Sequence, residues 1–172
     1  MRWLADRRLS ALAVALITGS VLVLYWRFVL CPADFFIGDL VNLFQPLRHH
    51  YAQSLGAGEL PLWTSAVFAG TPTFTDPQAA TFYPGTTVHL VLGYPAAELW
   101  SFLLHLILGG LGLTWLCRKL ELGWAPALLA GLSYALSGFF VAHLVHPNFV
   151  HTAAWIPWVL WPRFGLYYLC YP

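Results

Sequence analysis

A chain of 172 residues with 59% hydrophobic and only 9% charged residues carries too few charges to cover a soluble core, for which roughly 25% is ordinary. The composition is that of an all-α integral membrane protein. A net charge of +1 without any long basic run excludes nucleic acid as a partner, because phosphate backbones call for clustered Lys and Arg.

A helix needs about 20 apolar residues to cross a bilayer, and four segments are expected to do so. The first, residues 9–30, follows an N-terminal flank (residues 1–8) bearing Arg2, Arg7 and Arg8. That flank resembles the start of a signal peptide. The run is too long for one, and small residues before Cys31 are missing, so an uncleaved anchor is expected. A long loop, 31–96, separates it from the second span, 97–117, which ends at Arg118 and Lys119. A basic turn, 118–123, leads into the third span, 124–144. After a short loop, 145–152, comes a fourth span, 153–172, expected to be incomplete because it meets Pro162 and Arg163. Cys31, Cys117 and Cys170 lie far apart and form no zinc or CxxC pattern.

Cationic flanks stay in the cytoplasm. The N-terminal arginines and the 118–123 turn are therefore expected inside, with the loops 31–96 and 145–152 on the outer face of a bacterial cell membrane. That arrangement gathers six histidines, Asp39 and Asp76 on one side, while His105 lies within the second span.

The long loop has the aromatics, Pro and Gly of a segment that packs, unlike a linker. In its first part Leu40, Leu43, Phe44, Leu47, Tyr51 and Leu55 recur at helical spacing, with Asp39, Asn42, Gln45, Arg48 and His49 on the other faces and Gly56 and Gly58 at the end. This predicts an amphipathic interfacial helix over about 39–55. Asp39 then stands at its N-cap, although an acid at this place could equally serve catalysis or a cation. Arg48, the basic residue of the loop, could meet a phosphate or simply lipid headgroups. His143, His146 and His151 could contact phosphate, relay protons or sit at the interface; their spacing is a weak metal signal, and no metal site is expected. Trp63, Phe82 and Tyr83 could stack on sugar rings or form an aromatic belt. Asp76, before Pro77, reads as a turn former. Gly109, Gly110 and Gly112, with Ala130, Ser133, Ser137 and Gly138, would let helices approach closely.

The segments GDLVNLFQPLRHHYAQSLGAGELPLW (38–63) and FAGTPTFTDPQAATFYP (68–84), with the histidine-bearing stretch that ends in WIPWVLW, resemble the amino-terminal part of the YfhO family of bacterial membrane proteins. That family is grouped with the GT-C superfamily of glycosyltransferases, which use polyprenyl-phosphate sugars. The resemblance implies transfer of a sugar from a polyprenyl-phosphate donor to a cell-envelope acceptor on the extracytoplasmic face. Asp39 would be the catalytic acid or base, acting on the acceptor hydroxyl or through a divalent cation. Arg48, His146, His151, Trp63 and Tyr83 would contact substrate. Family members are far longer, so the resemblance also implies a truncated or frameshifted fragment, inactive without the remainder of the protein; the tail after Trp161 departs from the pattern. The alternative is a non-catalytic membrane protein, transporter-like or an assembly subunit, with membrane lipids as its partners.

Overall fold

The computed structural model describes the backbone of residues 2–32 and 38–170, with side chains over 6–32 and 38–160. It is 71% helical, with no strand among the described residues beyond one isolated bridge, Thr64 to Thr71. Among the described residues, three helices are long and apolar enough to cross a membrane: Asp6–Leu24, Tyr94–Lys119 and Trp124–Ala142. The chain divides into two compact units. One holds residues 1–26, 103–144 and 149–172; the other holds 27–102 and 145–148.

In the first unit, α1 (Arg2–Leu24) buries Ala13, Ile17 and Val21, one residue per turn, and turns Leu12, Leu16 and Val23 outward. Outward leucines and valines at this density suit lipid, not water. The expected first span is broken near its end: a turn at Tyr25 separates α1 from the short α2 (Trp26–Leu30). The long α4 (Tyr94–Lys119) begins before the expected 97, and its C-terminal part is paired through Gly110 with α5 (Trp124–Ala135). A Cβ on Gly131 would overlap Thr114 Oγ1 and approach Gly110 O to 2.5 Å. The close-approach face of α5 is therefore Ala127, Gly131 and Ala135, all buried and four residues apart. The expected Ala130, Ser133, Ser137 and Gly138 are not that face; Ser133 and Gly138 are exposed. On the α4 side the expectation of Gly109, Gly110 and Gly112 matches. Gly109 lies against Tyr134 and Ala154, and Gly112 against the Trp158 indole.

The third expected span, 124–144, is interrupted. α5 ends at Ala135, and α6 (Gly138–Ala142) restarts after Leu136 and Ser137. α7 runs Pro147–Cys170, beginning six residues before the expected 153 with Pro147 in its first turn, where a missing N–H costs nothing. Its backbone passes Pro162 without ending; the side chains of Trp161, Pro162 and Arg163, where the expected departure falls, lie outside the described residues. At one end of this unit Arg118 binds Leu122 O at 2.5 Å, stacks 4.6 Å over Trp124 and lies 3.8 Å from Asp6, which also accepts the Trp124 indole N–H at 3.0 Å. The N-terminal flank and the 118–123 turn thus meet.

In the second unit the loop packs, as its aromatic content predicts. A helical stretch runs from Leu40 to Gly56, first as a wide π-turn (Leu40–Phe44), then as α3 (Gln45–Gly56). The widening has a sequence cause. Pro46 has no N–H to continue the ladder, and the Gln45 N–H reaches back five residues to Leu40 O. α3 ends in a Schellman turn: Glu59 N bonds Ser54 O at 2.8 Å and Gly58 N bonds Leu55 O at 3.0 Å. Gly58 takes the left-handed φ of +76° that this turn requires. Leu47, Val67 and Ala79 form the core beneath, with Leu43 against it. Threonines tie the irregular chain down: Thr73 Oγ1 donates to Pro61 O at 2.6 Å, Thr81 Oγ1 to Thr73 O at 3.0 Å and Thr86 Oγ1 to Ala80 O at 2.9 Å. A 3-10 helix, Pro84–Leu90, leads to α4.

Candidate functional site

Among the described residues, polar side chains of the second unit gather at three places. The first is Asp39. Asp39 stands at the N-cap position, as expected, but it has helical dihedrals and makes no side-chain cap bond; Gly38 O accepts the Val41 and Asn42 N–H groups at 3.1 Å. The carboxylate is exposed, and its Oδ2 lies 3.9 Å from His146 Nε2. Residues 39 and 146 are far apart in sequence and come together only through the fold of this unit.

The second place lies inside. Arg48 was expected on a polar face, yet it is 2% exposed. It falls one helical turn after Phe44 and one residue after Leu47, so the buried side of the helix reaches round to it. Its guanidinium donates to Ala79 O, and its Nε lies 3.9 Å from Glu98 Oε2. The same carboxylate oxygen lies 3.1 Å from His89 Nε2, and all three side chains are buried. The His89 contact is off the hydrogen-bond line, and Glu98 Oε2 is left buried without a hydrogen-bond partner. Tyr94 stacks on the His89 ring at 5.8 Å and donates its hydroxyl to Leu40 O at 2.6 Å. Arg48, His49, Ala52, His89, Leu92, Gly93 and Tyr94 line a cavity of about 100 Å³. Nearby, burial raises the Tyr51 hydroxyl above its ordinary pKa, with Arg48 opposing.

Sequence reading missed Glu98 and His89. Glu98 stands in the second turn of a helix that is apolar enough to span, and an ionisable residue there carries a desolvation cost that a partner must offset. That cost was the available signal.

The third place is a groove of about 380 Å³ between α3 and the following loop, lined by Pro46, His49, His50, Gln53, Trp63, Thr64, Ser65 and Ala66. Trp63 is 59% exposed, but one edge of its ring rests on Gly70, where a Cβ would lie 2.6 Å from Cζ2. Paired N–H···O bonds between Thr64 and Thr71 close the loop that brings Gly70 there, and Gly70 holds φ at +124°. The W at 63 and the G at 70 are thus one contact.

The remaining candidates are dispersed. Tyr83 is half-buried at the entry to the 3-10 helix, its N–H bonded to Ala80 O at 3.0 Å. Asp76 forms the expected turn, its Oδ1 accepting the Gln78 N–H at 2.8 Å. Phe74 and Phe82 meet edge to face at 4.8 Å. In the first unit His151 is buried and stacks on His105 at 4.0 Å, while His143 stacks on Phe139 at 4.3 Å. Among the described residues no group of three or more His, Cys, Asp or Glu could hold a metal ion. Cys31 and Cys117 are free thiols.

No protein-family model, no curated protein and no solved structure matches this chain.

Proposed function

We propose that the chain is the amino-terminal part of a GT-C-type membrane glycosyltransferase, moving a sugar from a polyprenyl-phosphate donor to a cell-envelope acceptor at the extracytoplasmic face of a bacterial cell membrane. The observation that carries this reading is the Asp39 carboxylate, exposed at the head of a helix and not spent on capping it. A sugar hydroxyl is a poor nucleophile, and a carboxylate within reach can take its proton as the bond to the anomeric carbon forms. His146, its ring 3.9 Å away, would accept from Asp39 the proton taken off the sugar hydroxyl. The Trp63 groove supports the same reading. A flat aromatic face flanked by the Gln53 amide and the Thr64 and Ser65 hydroxyls suits a neutral sugar ring. Arg48 is too deep to lie among headgroups, and any phosphate it meets would have to enter the cavity it lines.

The meeting of Arg118 with Asp6 and Trp124 supports a topology in which both basic flanks share the cytoplasmic side. The test is transfer of labelled sugar from a polyprenyl-phosphate donor by membranes carrying the chain within its full-length protein. Asp39→Asn should reduce transfer at least a hundredfold while the protein still accumulates; transfer at the wild-type rate would end the assignment of Asp39 as the base.

A second reading, a transporter, has its own observation. The buried pair His105 and His151 and the interruption between α5 and α6 are polar and discontinuous features within spanning segments. Counterflow of substrate in vesicles, undiminished by Asp39→Asn, would favour it.

A further inference from the structure

We propose that the loop closed by the Thr64–Thr71 bridge is a lipid anchor, with Phe68 set into the apolar side of the headgroup layer and Leu60 and Leu62 on the chain leading into it. The helix expected to lie on the membrane is not available for this role: Leu40, Phe44, Leu47 and Tyr51, its apolar stripe, are buried inside the unit. Exposed apolar side chains are found instead on the segment that follows. Leu60 and Leu62 are each more than half exposed, and Phe68 is 78% exposed. From Leu60 to Thr75 there is no Asp, Glu, Lys, Arg or His, so no charge in the segment resists its leaving water.

The backbone holds Phe68 outward at a cost. Phe68, Ala69 and Gly70 take φ of +53°, +58° and +124°, and residues with a Cβ enter this region only where the surrounding fold imposes it. The result separates two neighbours: Val67 is buried in the core of the unit, and Phe68 is turned to the outside. Water offers nothing against that strain, because an exposed phenyl ring is itself unfavourable there; an apolar surrounding does. Much of the loop's backbone is paired from within. Thr64 and Thr71 exchange N–H···O bonds, the Gly70 N–H binds Val67 O at 2.9 Å, the Ala66 N–H binds Thr64 Oγ1 at 3.2 Å, and Pro61 and Pro72 have no N–H to lose. An irregular loop does not cross hydrocarbon, but one paired to this extent can sit at headgroup depth, a level that also suits the Trp63 indole. Lipid is the occupant because the chain ties both ends of this unit to helices apolar enough to span a bilayer. α1 ends at Leu24, shortly before the unit starts at Arg27, and α4 begins within the unit at Tyr94. An anchor tethered in this way needs little affinity of its own.

The test places the photoreactive residue p-benzoyl-phenylalanine at Ala66, an exposed position of the same loop, in the full chain reconstituted into phosphatidylcholine vesicles. Irradiation should give a covalent lipid adduct, detected by mass, at a yield comparable with that from the same residue placed at Leu16, an exposed position of α1. Phe68→Ser should cut the yield at Ala66 roughly tenfold, the effect of withdrawing one phenyl ring from lipid. Its melting temperature in detergent should be unchanged, because that ring is mostly exposed. Replacing half of the phosphatidylcholine with phosphatidylglycerol should leave the yield as it was, since the segment carries no charge. An absent lipid adduct at Ala66 while Leu16 gives one, or an adduct unaffected by Phe68→Ser, overturns the proposal. Cross-linking of Ala66 to a second copy or to another protein segment in place of lipid overturns it too, and would make the loop a protein contact. A yield that rises severalfold with the anionic lipid would overturn the apolar mode of anchoring. None of these readouts depends on sugar transfer.

Discussion

The two units solve the same problem, pairing the backbone and polar atoms that folding removes from water, by different means. In the helical unit the backbone seals itself, and what remains is shape. Gly110, Gly131 and Ala135 remove side chains where α4 and α5 approach, and Thr114 returns its hydroxyl to Gly110 O at 2.9 Å within its own helix. In the loop-rich unit the backbone is irregular, and side chains do the sealing. Thr73, Thr81 and Thr86 donate to carbonyls, Arg48 donates to Ala79 O, and the arginine is balanced by Glu98. Steric fit therefore governs the first unit, and polar pairing governs the second.

That contrast can be broken deliberately, beginning with the buried charge. Glu98→Gln leaves Arg48 buried without its counter-charge and should cost about 3–5 kcal/mol, read as a loss of melting temperature in detergent. Replacing both Arg48 and Glu98 with Met should cost less than Glu98→Gln alone, because no lone charge is then left behind. A double variant as unstable as the single one would show that the pair is not the source of the effect.

The steric side is sharpened by Gly131→Val. The added atoms meet Thr114 and the Gly110 carbonyl, and a loss of about 1–3 kcal/mol is expected, whereas the exposed Ser133→Val two positions away should stay within about 0.5 kcal/mol. Equal effects at both positions would contradict the packing of α4 on α5 at Gly131 and Ala135.

The smallest effect belongs to a single threonine bond. Thr73→Val keeps the shape but removes the hydroxyl that serves Pro61 O, and a loss of about 1 kcal/mol follows. Increased proteolytic nicking of the 61–73 segment, with the helices left intact, would locate the damage in the loop-rich unit.

The spanning helices were legible because lipid imposes a long apolar run that needs no partner to be recognised, and 9–30, 97–117 and 124–144 each overlap a helix found to be long and apolar enough. The helix that follows Gly38 was legible too. Leu40, Phe44, Leu47 and Tyr51 are buried as their spacing predicts, and Gly58 ends it. The faces were less so. Small residues occur on several sides of α5, and only the approach of α4 selects Gly131 over Ser133.

What the sequence determined by itself was the class of the protein, the positions of its apolar helices, the turn at Asp76 and the packing nature of the 31–96 loop, because these depend on composition and on interactions within a few residues. Only tertiary structure decided that Arg48 lies inside, that Glu98 meets both it and His89, that Asp39 faces His146 and that Trp63 rests on Gly70. Each of these joins positions from separate elements or loop segments, and a periodic pattern in one segment carries no information about which side chain of another will arrive opposite it.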